Sequence, residues 1–408
     1  MSYEILFILA VFIAVYVGMA LGRWPWLRVD RTGIALLGAI ALIAGGTIDG
    51  FDAMLAVDIP TILVLFGLMI LSAQFAACGF YDWCAARIAA SLASPGTILA
   101  LTVFVAGGLS AVLANDIVVF AMTPMLIAGL KGRGLDPRPY LIGLAGGANA
   151  GSAATIIGNP QNILIGQVGS IDFWHYFLIA APPAVAALII VFGVIWLVWR
   201  RDFIVPRTEI VVSMPALDRM GLAKAILATA ALLALFASPA APAMSVLVIA
   251  GVLLVSRRLS SREMLGLVDW HLLVLFAGLF IVTETFARTG LPAGLLVELT
   301  STGIELTSGG MLVPLTLVGS NVIGNVPMVV LLLAIVPEFS REGLTALAVL
   351  STLAGNLLIV GSLANIIVVE RAAQAGVKLG LADHARCGVP MTLLSMGAAA
   401  AWLWALSA

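Results

Sequence analysis

A chain of 408 residues has the length of two or three soluble domains, but 62% of it is apolar and only 10% charged, against roughly 25% charged in soluble domains. Too few charges remain to cover a water-facing surface, and a mean hydropathy of +1.15 makes the chain a polytopic membrane protein. A net charge of −1 without a long basic run excludes a nucleic-acid partner. Cys78, Cys84 and Cys387 form neither a metal-ligand spacing nor a disulfide framework, and the absence of HExxH and Walker strings argues against an enzyme or an ATP-driven pump.

Spans of about 20 apolar residues are expected, in chain order, at about 3–22, 33–48, 60–78, 140–167, 176–199, 222–238, 243–256, 266–287, 343–369 and 388–406. The first reads as a retained span, because it lacks a basic leader and ends in Leu21-Gly22-Arg23. Two stretches, about 97–130 and 310–337, are too long for one helix and polar near the middle. Each reads as a re-entrant hairpin. With both re-entrant and both termini outside, only Arg288 and Arg341 lie outside, leaving 18 of the 20 Lys and Arg on the cytoplasmic side, as the positive-inside rule requires. The location this implies is a bacterial inner membrane.

Residues 58–79 align with 269–290 at a constant offset of 211 with seven identities, among them Asp58 with Asp269, Gly67 with Gly278 and Gly79 with Gly290. The tip Ala114-Asn115-Asp116 then matches Gly324-Asn325-Val326, and Gly158-Asn159-Pro160-Gln161-Asn162 matches Gly361-Ser362-Leu363-Ala364-Asn365. In the expected topology the matched segments run in opposite directions. The predicted fold is therefore all-α, with two inverted-topology repeats at about 1–200 and 222–408 joined by a cytoplasmic linker at 201–221. It has about ten full spans, two hairpins and two broken helices. Such repeats supply the two conformations of a secondary transporter.

Chemistry concentrates where backbone must leave the helix at membrane depth. Asn149 to Asn162, with Thr155, Gly158, Asn159 and Pro160 between them, is one such segment; Gly355 to Asn365, with Gly361 and Ser362, is the other. Freed carbonyls and Asn oxygens suit a hard cation such as sodium, whereas half-helix N-termini suit an anion. Asn149 and Asn321 are equally readable as interhelical glue. Asp116, an intramembrane acid without an acidic repeat mate, is the candidate proton or cation ligand, with a helix cap as its alternative. Glu284 reads as an ion pair with Arg288 at i+4. No Lys or Arg is expected deep in any span.

These motifs resemble the ion transporter superfamily of arsenite permeases, D-type sodium/proton antiporters, citrate transporters and divalent anion:sodium symporters. The likeness covers nearly the whole chain and looks closest to an uncharacterised bacterial anion-permease branch. It implies a homodimer in which an elevator-like movement carries both hairpins and both broken helices. It also implies sodium at Asn115, Asp116 and Asn162 and at Asn325 and Asn365, with no other cofactor. The symporters' Ser-Asn-Thr tips are replaced here by Ala114-Asn115-Asp116 and Gly324-Asn325-Val326. The expected function is secondary transport of a small anion or oxyanion coupled to sodium or protons. A cation/proton antiporter and a gated channel are the alternatives.

Overall fold

The computed structural model describes residues 2–24, 26–91, 93–203, 214–238, 240–256, 259–303, 305–336 and 339–407. These residues form 20 α-helices and no named strand. The first ten are α1 (Tyr3–Leu21), α2 (Arg31–Ala44), α3 (Gly50–Ala56), α4 (Ile59–Ala77), α5 (Phe80–Ala90), α6 (Pro95–Ser110), α7 (Asn115–Gly132), α8 (Arg138–Ser152), α9 (Pro160–Val168) and α10 (Phe173–Val198). The next ten are α11 (Arg219–Leu235), α12 (Pro242–Leu254), α13 (Ser261–Gly266), α14 (Trp270–Ala287), α15 (Leu291–Ser301), α16 (Gly309–Val322), α17 (Asn325–Ile335), α18 (Arg341–Ala354), α19 (Leu363–Gln374) and α20 (Leu381–Ser407).

The order of long, short, paired and broken helices thus runs twice, each run ending on its longest member, α10 with 26 residues and α20 with 27. Both expected hairpins appear as two arms joined by a short tip, α6–α7 and α16–α17. Both expected breaks appear too, between α8 and α9 and between α18 and α19. Four short helices, α3, α5, α13 and α15, were not expected.

Local chemistry explains the matched starts. Asp58 accepts from Thr61 N at 2.8 Å to cap α4, and Asp269 accepts from Leu272 N at 3.0 Å to cap α14. The aspartates aligned in sequence are therefore helix starts, where a carboxylate satisfies orphan N–H groups and the helix dipole. After each long helix a left-handed glycine, Gly79 (φ 76°) or Gly290 (φ 74°), turns the chain into the short helix that follows.

Packing between the two runs is crosswise. Helix α2 lies on α14 and α12 on α4; α9 lies on α17 and α19 on α7; and α10 packs directly against its counterpart α20. Within each run the first hairpin arm packs on the broken helix, α6 on α8 and α16 on α18. The α6–α8 contact is backbone to backbone: a Cβ on Gly151 would stand 2.1 Å from Gly107 O, and one on Gly147 would stand 2.6 Å from Val103 O.

Polar anchors complete the frame. Buried Arg133, just beyond α7, donates to the carbonyls of Ala89, Ser91 and Ala93, so the α5–α6 connection is fastened to the far end of the hairpin. Arg138 pairs with Asp136 and Asp383 and stacks over Trp199 at 5.1 Å, joining the starts of α8 and α20. Glu284 meets Arg288 at 2.9 Å, as expected, and Asp52 joins the same guanidinium at 2.9 Å.

Gly151→Ala is expected to destabilise the protein by about 1–3 kcal/mol through overpacking. Gly108→Ala, where an added Cβ meets nothing within 4 Å, should be nearly neutral. Thermal unfolding of the purified variants in detergent checks the pair.

Candidate functional site

The two tips place equivalent residues equivalently. Asn115 is the first residue of α7 and Asn325 the first of α17. Ser72 on α4 holds the first tip by accepting from Ala114 N at 3.0 Å. On α14, Thr283 is hydrogen-bonded to Tyr16 (3.2 Å), which donates to Pro327 O at 3.4 Å beside the second tip. Gly324, with φ 97°, supplies the left-handed turn that this tip needs. Asn115 and Asn325 are buried, and each has a side-chain oxygen without a hydrogen-bond partner among the described residues. An unsatisfied buried carbonyl costs about 1–3 kcal/mol, so two at equivalent positions mark a place where a ligand can repay the cost.

The breaks behind the tips are, by contrast, internally satisfied. Asn162 Nδ2 donates to Thr155 O (3.1 Å) and to Tyr176 Oη (3.2 Å). Asn365 Nδ2 donates to Leu358 O (3.1 Å) and Gly355 O (2.8 Å). Each asparagine thus fastens carbonyls freed by its own break. Their oxygens are taken by the other half: Thr352 Oγ1 donates to Asn162 (3.0 Å), and Asn149 Nδ2 to Asn365 (3.1 Å). Two further bonds cross in the same sense, Asn159 Nδ2 to Thr352 (3.0 Å) and Ser362 Oγ to Asn149 (3.0 Å). Gly158 and Gly361 permit this closeness. A Cβ on either would come within 2.3 Å of Ser152 O or Asn321 Oδ1, respectively.

Between the tips and the starts of α9 and α19 lies a cavity of about 600 Å³ lined by Asn115, Asp116, Asn325, Gly361 and Ser362. A second space of about 530 Å³, lined by Asp82, Asn159, Phe120 and Arg371, adjoins it. Asp116, Asp269, Pro160, Leu272 and Ile367 belong to both walls. Asp116 is half-buried, and among the described residues its carboxylate makes neither a hydrogen bond nor an ion pair. The cap of α7 is Ala114, without a side-chain bond, so the capping alternative for Asp116 is not realised.

Of the residues singled out in the sequence, Asn115, Asp116, Asn325, Gly361, Ser362 and Asn159 therefore reach the cavity walls. Thr155, Gly158, Asn162 and Asn365 stand behind them in the packing of the breaks. Thr155 donates to Ala111 O, tying the first break to the first tip.

Four residues escaped the sequence reading. Asp269 was visible only as a repeat match. Arg371, assigned to a cytoplasmic segment, lies over the Phe120 ring at 3.4 Å and lines the smaller space, with its Nε buried and unpartnered. Tyr176 donates to Ala153 O (3.0 Å), and His384 Nε2 lies 3.1 Å from Asn356 O, so α10 and α20 each send a polar ring to a carbonyl of a break. Their equal placement three residues after Phe173 and Leu381 was the available signal.

A multi-pass helical protein with paired tips and broken helices around one central cavity is a membrane transporter by architecture. The chain belongs to the citrate transporter family, whose model matches residues 6–343. An uncharacterized transporter of Mycobacterium tuberculosis is 28% identical over 92% of this chain and 94% of its own. The silicon efflux transporter of rice is 26% identical over 91% of each. The crystal structure of the YdaH transporter of Alcanivorax borkumensis covers 100% of this chain and 98% of its own, with a TM-score of 0.50 at 12% identity. That likeness concerns the fold.

Asn162→Ala and Asn365→Ala each free one or two buried carbonyls and should cost about 1–3 kcal/mol. Because the network is shared, the double variant should cost measurably less or more than the two single costs added. Thermal unfolding of the three proteins reads the coupling.

Proposed function

We propose that the protein is a secondary active transporter that moves a small anion or oxyanion across the bacterial inner membrane, coupled to sodium or protons. The reading rests on one observation above the rest: Asn115 and Asn325, each with a buried side-chain oxygen that has no partner among the described residues, line one cavity between both tips and both breaks together with Asp116. Carbonyl and carboxylate oxygens fit a hard cation such as sodium. Arg371, with its free buried N–H, and the dipoles at the starts of α9 and α19 fit an anion.

Crosswise packing of ten helices on ten supports two inverted repeats. In that reading the repeats occupy 1–200 and 222–408, the hairpins and broken helices move as an elevator-type body, and the working unit is a homodimer. The names of the family and of the rice relative put citrate and soluble silicon compounds first in a substrate screen. A cation/proton antiporter is the second reading, favoured by the carboxylates of Asp82, Asp116 and Asp269 against the single Arg371 in the smaller space.

A thermal-shift screen against these compounds and other small oxyanions, with and without sodium, should show stabilisation of about 2.7 kcal/mol at a hundredfold excess over Kd. In reconstituted vesicles Asp116→Asn should abolish gradient-driven uptake while leaving folding intact. Wild-type coupled uptake by that variant would refute the role of Asp116. Sodium-driven proton movement in the absence of any anion would instead select the antiporter. The inverted topology has its own check: cysteines at Gly134 and Gly309 should react with an impermeant reagent from the cytoplasmic and the external side, respectively, and labelling of both from one side would sink it.

A further inference from the structure

We propose, on the secondary-transport reading above and its topology, that a third pocket beside α4 and α9 is the external half of the transport path. In this conformation it is held shut by Ile157 and Ile163.

The pocket has a volume of about 320 Å³ and lies between α4, the first break, the start of α10 and the adjoining ends of α11 and α12. Its wall repeats that of the 600 Å³ cavity. In the register that matches Asn162 with Asn365, Ile157 falls on Val360, Ile163 on Ile366 and Gln167 on Glu370. The first of each pair lines the small pocket and the second lines the large cavity. On the long helices Val64 and Leu275, related by the offset of 211, divide in the same way. Inverted repeats require such a wall used twice, once for each mouth of a path. The large cavity has Arg23 and Arg31 on its wall, from the basic cytoplasmic segments, whereas the small pocket has Asp172, from an outer loop.

Depth distinguishes the two copies. The large cavity reaches Asn115 and Asn325 at the tips. The small pocket stops at Ile157 and Ile163, and the same two side chains also line the 530 Å³ space that has Asp116 on its wall. Both isoleucines are buried, and α9 packs here on α4. Val64 of α4 lines the external pocket, and the next residue, Leu65, lines the central space. The barrier between them is therefore a single layer of branched apolar side chains. An ion crossing that layer would leave water without gaining a partner, so the layer holds ions back without any charge of its own.

Hydrogen bonds attach the layer to the first tip. Ile157 follows Thr155, which donates to Ala111 O. Ile163 follows Asn162, whose Nδ2 donates back to Thr155 O at 3.1 Å. Displacement of the hairpin against α4 therefore carries both isoleucines with it, and one movement shifts the tip and opens the layer.

A single cysteine replacing Ala121, a partly exposed residue on the wall of the central space, tests the gate in right-side-out and inside-out vesicles. Cys78, Cys84 and Cys387 are buried. A membrane-impermeant methanethiosulfonate reagent should label this parent readily from the cytoplasmic face and far more slowly from the external face. Adding Ile163→Ala should speed external labelling roughly ten-fold, which requires about 1.4 kcal/mol off the barrier to entry. Ile157→Ala should do the same, and it keeps the test decisive if Ile163→Ala does not fold. Ile366→Ala, at the matching place in the open cavity, should leave the external rate unchanged. If neither Ile163→Ala nor Ile157→Ala raises that rate, the gate is overturned. An equal rise in Ile366→Ala also overturns it, since general loosening would then suffice. A parent labelled faster from outside reverses the two mouths and sinks the proposal, whereas a parent labelled equally fast from both faces is an open channel and sinks the secondary-transport reading itself.

Discussion

Backbone that leaves the helix inside a membrane must find hydrogen-bond partners within the protein, and this requirement governs the centre of the molecule. Two breaks are present, and each is closed by an asparagine from its own second half-helix, Asn162 or Asn365, acting on carbonyls of the break. The oxygen of that asparagine is then held by the opposite half, through Thr352 or Asn149. Neither asparagine is fully bonded without the other half. The crossed network therefore welds the two broken helices into one unit and leaves two oxygens without partners among the described residues at the tips, Asn115 Oδ1 and Asn325 Oδ1.

Near-symmetry makes the departures from it informative. Backbone and caps agree between the runs to the level of single hydrogen bonds, as at Asp58 and Asp269. Polar side chains at the tips and in α10 and α20 do not all agree. Asp116 is matched by Val326, and Tyr176 by His384. Two equal halves would put the same groups at equivalent positions, so Asp116 opposite Val326 is where the two tips differ in charge.

Much of this was legible in the sequence because it follows from short-range rules. Gly158 and Pro160 announced the first break and Gly355, Gly361 and the match to the first announced the second, while polar residues in overlong apolar stretches announced both hairpins. The offset of 211 tied Asp58 to Asp269, although the chemistry it preserved is a cap and not a contact between repeats. The short helices α3, α5, α13 and α15 stayed hidden because 6 to 11 residues are too few to carry a span-like apolar signal. The direction of Asn162 and Asn365, towards carbonyls and away from the cavity, depends on packing between segments nearly half the chain apart. Arg371 was assigned to the aqueous phase because charge alone locates a side chain by its cost in hydrocarbon. Its ring contact with Phe120 and its place on a cavity wall are tertiary facts.

The clamp of Arg133 on the carbonyls of Ala89, Ser91 and Ala93 decides where the chain can bend. The connection between α5 and α6 has the look of a joint, yet a buried guanidinium locks it, and α5 is towed by any displacement of the hairpin. The nearest connection upstream without such a clamp is the turn at Cys78 and the left-handed Gly79. The segment before α11 rests on that turn: Asp218 N donates to Cys78 O at 3.0 Å, and Ala216 O lies against Gly79 so closely that a Cβ would stand 2.6 Å from it. The connector therefore lies directly against the turn between α4 and α5, so a change in the angle between these helices would have to break its contact with Cys78 or Gly79.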